Sequence, residues 1–120
     1  MDVTFRQGDV LMLRVDGDPD ELGERVAEPR DDGRVVLAYG EVTGHAHAIM
    51  DAAATLWRLA GDDRLLLISG RAPVALQHEE HATIMVPPGA YVVRRQREFA
   101  PDDEEDALAG TFRLSVYVAD

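Results

Sequence analysis

No stretch of this chain sustains the apolar period of a long helix; its apolar residues come in short runs closed by glycine, proline and aspartate. Val10-Leu11-Met12-Leu13-Arg14-Val15 follows the turn-like Gln7-Gly8-Asp9, and Asp31-Asp32-Gly33 precedes Val35-Val36-Leu37. Leu56–Leu59 and Leu65–Ile68 flank Gly61-Asp62-Asp63, the pattern of a hairpin with a short loop. Val74–Leu76 and Thr83–Val86 flank His78-Glu79-Glu80-His81 in the same way. Pro87-Pro88-Gly89 then turns the chain into a run beginning at Tyr91. Thr111–Val118 alternates strongly and reads as a terminal strand. Many short strands between frequent turns predict an all-β domain, a small barrel or a sandwich. One short helix is expected near residues 101–109, opened by Pro101 and stopped by Gly110. The segment from Gly17 to Gly33 reads as a long polar loop with one helical turn near Asp20–Glu24.

At 120 residues the chain fits a single domain over 1–120, without repeat or linker. No apolar run approaches the length of a bilayer span, and the N-terminal MDVTFRQGDV lacks the order of a signal peptide. A cytoplasmic protein with no membrane partner is the expectation. Cysteine is absent, which excludes disulfides, thiolate ligands and cysteine nucleophiles. Lysine is absent too, so Schiff-base chemistry is excluded. The formal charge of −11 argues against binding double-stranded nucleic acid, whose phosphates would be repelled. The acidic run at 102–106 lacks the spaced oxygens of a calcium loop and reads as solvated surface. No phosphate-cradling or serine-nucleophile motif occurs.

All four histidines sit in two tetrapeptides, Gly44-His45-Ala46-His47 and His78-Glu79-Glu80-His81. In a strand, residues two apart share a face, so His45 and His47 can reach one ion. Residues three apart in a strand face oppositely. His78 and His81 therefore need a helical turn or a chain reversal at Glu79-Glu80, and the flanking strands favour the reversal. The metalloprotease spacing HExxH is not met. Imidazoles suit zinc, iron, nickel or manganese, and a divalent transition metal on His45, His47, His78 and His81 is the expected cofactor. The alternatives are a hydrogen-bonded histidine cluster and four unrelated side chains.

The string His45-Ala46-His47-Ala48-Ile49-Met50-Asp51 resembles the first cupin motif, in which HxH is followed after three or four residues by a glutamate. The resemblance covers about residues 40–78. It implies a small β-barrel with a divalent metal inside, and a third histidine on a later strand, a role open to His78. Asp51 stands where cupins carry glutamate; the Pro88-Gly89 turn follows the later histidine instead of preceding it; His81 has no counterpart. The longer pattern GEVTGHAH…HEEH also resembles small uncharacterised bacterial proteins, a likeness that implies no activity.

Two further sets of residues bear on chemistry. Glu79 or Glu80 could serve as general base or added ligand at a catalytic metal. Arg94, Arg95 and Arg97 lie on one predicted strand, with Arg94 facing one way and Arg95 and Arg97 the other. An arginine lining a pocket would bind a small anionic molecule; otherwise these charges pair with surface acids. The expectation is a metal-binding β protein, with a small-molecule metalloenzyme as its catalytic form. The competing reading is a non-catalytic interaction module with a structural or pH-sensitive histidine cluster. Exposed edge strands make a homodimer reasonable.

Overall fold

A computed structural model describes residues 3–40 and 44–96. The expected helix near 101–109, the strand at 111–118, the acidic run and Arg97 lie outside the described residues.

The described chain is all-β, as expected, and forms two antiparallel sheets rather than a closed barrel. The strands are β1 (Val3–Gln7), β2 (Val10–Arg14), β3 (Val26–Ala27), β4 (Val35–Tyr39), β5 (Ala46–Ile49), β6 (Ala54–Arg58), β7 (Arg64–Ile68), β8 (Val74–Gln77), β9 (Ile84–Val86) and β10 (Gly89–Arg95). The larger sheet has the order β1-β2-β10-β7-β6-β3, and the smaller one β4-β5-β8-β9. Between Gly17 and Gly33 lie a 3₁₀ turn (Pro19–Leu22), capped by the Asp18 carboxylate, and the short β3. No helix among the described residues is long and apolar enough to cross a membrane.

Period-two alternation sorts the strands onto their faces. In β2, Val10 and Met12 enter the main core, while Leu11 and Leu13 pack on the outer face with Val92. Tyr91 and Val93 of β10, Leu66 and Ile68 of β7, and Ala54 and Leu56 of β6 continue the inner face of the larger sheet. The smaller sheet answers with Val35, Leu37, Ile49, Val74, Leu76, Ile84 and Val86. The core thus lies between the sheets, as in a sandwich. Burial of apolar area at ~25 cal/mol per Å² is what holds the layers together.

The predicted hairpins form. β6 and β7 pair through Arg58↔Arg64, around the Gly61-Asp62-Asp63 turn. At Asp31–Arg34, Asp32 and Gly33 both take positive φ (55° and 81°), the signs of a type I′ turn. β8 and β9 pair through Leu76↔Ile84. Their connection is wider than a two-residue reversal, because Gln77 ends one strand and Ile84 begins the next. Glu79-Glu80 is therefore the crown of a broad loop. The central pairing of β10 with β2, Arg95↔Val10 through Tyr91↔Arg14, brings the end of the described chain beside the β1–β2 turn.

Candidate metal centre

Four pieces of backbone meet at one end of the sandwich: the β1–β2 turn, the start of β5, the β8–β9 loop and the end of β10. His47 is two residues before Ile49 on β5 and so shares its inward face. It is 3% exposed, the one buried histidine among the described residues. His45 stands just ahead of β5, where Gly40 N–H donates to its carbonyl (2.8 Å). His78 and His81 come from the β8–β9 loop.

The rings converge. His78 lies 4.3 Å from His47, 4.7 Å from His81 and 5.8 Å from His45, centroid to centroid. His47 and His81 stack at 5.7 Å with planes 19° apart. The two tetrapeptides thus supply one cluster, at the rim of a cavity of about 210 Å³ also lined by Asp9, Gly40, Glu80 and Arg95. Ligand atoms of His45, His78 and Glu79 all lie within 4.8 Å of one another, and among the described residues this is the one such grouping of three or more.

Gln7 fixes the orientation of His47. Its side chain is fully buried. Its amide nitrogen donates to the carbonyls of Leu76 (3.0 Å) and Ala82 (2.9 Å). With both amide hydrogens engaged, Gln7 Oε1 must accept from His47 Nδ1, 2.8 Å away. The proton is thereby assigned to Nδ1, and the Nε2 lone pair is directed at the cavity. Nε2 faces Asp9 Oδ1 at 3.5 Å. Burial, followed by the neighbouring His78, holds the His47 pKa down to about 4, so the ring is neutral at pH 7. A metal-ligating histidine needs the same lone pair, held by a partner on its other nitrogen.

The carboxylates divide by role. Glu79 Oε1 accepts from Ala46 N–H (2.9 Å), tying the β8–β9 loop to β5. That bond, with one from its own backbone N–H, lowers the Glu79 pKa and keeps it ionised. Glu80 is exposed as well; its Oε2 stands 3.9 Å from His45 Nδ1, while its backbone N–H donates to His78 Nδ1 (3.0 Å). Asp9 bridges, with Oδ1 toward His47 and Oδ2 accepting from Arg95 Nε at 2.6 Å. Arg95 reaches Asp9 because Gln96 N–H donates to Asp9 O (2.6 Å), continuing the β2–β10 ladder into the turn.

Arg94 and Arg95 point to opposite faces, as alternation requires. Arg94 leaves the site and makes an exposed ion pair with Asp63, its Nε 3.1 Å from both carboxylate oxygens. Arg95 lines the cavity. Asp51, the carboxylate of the cupin-like string, is outside the cavity lining; it accepts from Ala53 N–H (2.8 Å) in the turn before β6.

Gln7, Gly8 and Asp9 are functional-site residues that the pattern of the sequence presented only as a turn. Gly8 has φ +58°, where side chains are disfavoured. A Cβ there would stand 2.7 Å from His81 Nε2 and 3.2 Å from His47 Cε1. The signal for Gln7 was present: it is a polar residue two after Phe5, on the face that Phe5 turns to the core.

The family described as Domain of unknown function (DUF8820) matches residues 6–96, and the chain belongs to that family. Every residue of the cluster lies within the matched span. No curated protein and no solved structure matches the chain.

Proposed function

We propose that this DUF8820 member binds a divalent transition metal at the histidine cluster and presents it to a small anionic molecule. The observation that supports this best is the trio His45, His78 and Glu79, with ligand atoms within 4.8 Å of one another. Mixed imidazole and carboxylate donors without thiolate suit zinc, iron, nickel or manganese. Three protein ligands leave positions for water or a substrate oxygen, where a metal acts as Lewis acid or lowers the pKa of water. Glu80, whose Oε2 stands 3.9 Å from His45 Nδ1, is the candidate general base. Arg95 is the candidate anchor for a carboxylate or phosphate.

The test is metal analysis of tag-free protein, before and after chelation and reloading. At least one equivalent of zinc, iron, nickel or manganese per chain is the expected result, with His78→Ala losing it. Protein that neither carries nor takes up any of these ions overturns the proposal.

One observation favours a second reading, a metal-free polar network. Gln7 and the Glu80 amide already satisfy one ring nitrogen each of His47 and His78. The same uptake measurement separates the two.

A further inference from the structure

A second hollow lies against the trio, on the outer face of the smaller sheet. It encloses about 230 Å³, and Arg34, Ala46, Ala48, Met50, His78 and Glu79 are among its walls. Alternation explains its floor. His47 and Ile49 turn inward, so Ala46, Ala48 and Met50 turn outward. Alanine at two successive outward positions leaves a depression that larger side chains would fill. The ends of the groove differ from its floor. At one end stand His78 and Glu79, and Glu79 is tied to the Ala46 amide (2.9 Å). At the other stands half-buried Arg34, one residue before the Val35↔Ile49 pair and so beside Met50. Its Nε donates to Asp31 O (3.4 Å), which uses one of the five guanidinium donors. Arg95, in the cavity on the other side of His78, is by contrast committed to Asp9 at 2.6 Å. From Met50 to Ala46 is four residues of extended chain, roughly 13 Å at about 3.3 Å each. The Arg34 side chain and the ligands of the trio reach into that span from either end.

We infer that the metal-loaded protein takes a short aliphatic dicarboxylate in this groove, one carboxylate on the ion of the His45-His78-Glu79 trio and the other on Arg34. The inference rests on the metal-binding reading above and names the ligand class for it. Charge selects the class. Two neutral imidazoles and one carboxylate leave a dication with net positive charge, so the groove then has a cationic centre at each end. The Ala46-Ala48-Met50 floor between them is apolar and suits methylenes. A guanidinium meets a carboxylate through paired N–H donors, which fixes the remote end in register. The volume suits a small molecule, since sites for drug-sized ligands begin at roughly 300 Å³. A chain of formal charge −11 repels a dianion over most of its surface, so two fixed cations at a set spacing are what would select one.

The experiment uses the full tag-free chain, loaded with zinc or with whichever of iron, nickel and manganese it retains. It is titrated calorimetrically with glutarate and with butyrate, which lacks the second carboxylate. Glutarate should bind about tenfold or more tighter than butyrate. Arg34→Ala should abolish that preference and leave butyrate binding as it was. Arg94→Ala, in the exposed pair with Asp63, should leave both ligands unchanged. Met50→Glu, at an exposed position, sets a carboxylate beside Arg34 and should remove the same preference if Arg34→Ala does not fold. A chain that takes up none of the four ions overturns the proposed function and the inference with it. A loaded chain that binds glutarate no better than butyrate overturns the inference and leaves the metal site standing. So does a preference that survives in folded Arg34→Ala or Met50→Glu.

Discussion

Replacing Gln7 by leucine tests the interior half of the site without touching a proposed ligand. The side chain is fully buried and makes three hydrogen bonds, to His47, Leu76 and Ala82. Leucine fills similar space and makes none. The partner on His47 and the one on Leu76 are left in buried surroundings; Ala82 O is only part-buried and can turn to water. A buried polar group left unsatisfied costs about 1–3 kcal/mol, so two cost about 4. The better transfer of leucine returns about 1 kcal/mol. The net loss should be about 3 kcal/mol. With a urea slope of about 1.5 kcal/mol/M for a domain of this size, the unfolding midpoint should fall by about 2 M. Nitrogen NMR of the His47 ring supplies a second readout. The wild type should hold the proton on Nδ1, and Gln7→Leu should populate both tautomers. Arg94→Ala is the control: it removes an exposed ion pair with Asp63 and should cost no more than about 0.5 kcal/mol. A Gln7→Leu midpoint within 0.3 M urea of wild type, or an unchanged tautomer, would refute the reasoning.

Metal-free protein should lose stability on mild acidification, because the folded-state pKa of His47 is lowered from 6.5 to about 4. Between those values the unfolded chain binds more protons, so stability rises with pH; up to about 3 kcal/mol is present above pH 6.5 and lost by pH 4. Urea melts of wild type and His47→Asn at pH 7 and 4.5 should differ in slope, and parallel behaviour would contradict the assignment. Gly8→Ala should cost about 1 kcal/mol for a side chain at positive φ, and should weaken metal uptake at least tenfold by displacing His81. Calorimetric titration with Zn(II) checks it, and unchanged affinity would show that the turn does not brace the cluster.

Local chemistry made much of this fold legible. Alternation in Val10–Arg14 and the turn residues at Asp32-Gly33 and Gly61-Asp62-Asp63 carry their structure within a few residues. The divergence of Arg94 from Arg95 follows from the same period, whereas His45, expected on one strand with His47, stands just ahead of β5. Pairings across long separations were not legible. β10 joins β2 through contacts between Arg95 and Val10, and nothing local to either strand marks the other. Gln7 meets His47 forty residues on and Ala82 seventy-five residues on, so its role exists only once both sheets are assembled. HEEH was legible as a chain reversal, but its width was left open. Two strands around four polar residues suggest a tight reversal, but Gln77 and Thr83 flank it without joining the β8–β9 pairing, so the loop broadens.

The hydrogen bond from Glu80 N–H to His78 Nδ1 makes that ring mutually exclusive in its uses. If an ion takes Nδ1, the amide loses its acceptor. If an ion takes Nε2, the proton must sit on Nδ1, which then cannot accept. Either choice of nitrogen breaks the bond from Glu80 N–H to His78, and the exposed amide turns to water instead. Loading of His78 would thus be legible in a single backbone amide, that of Glu80.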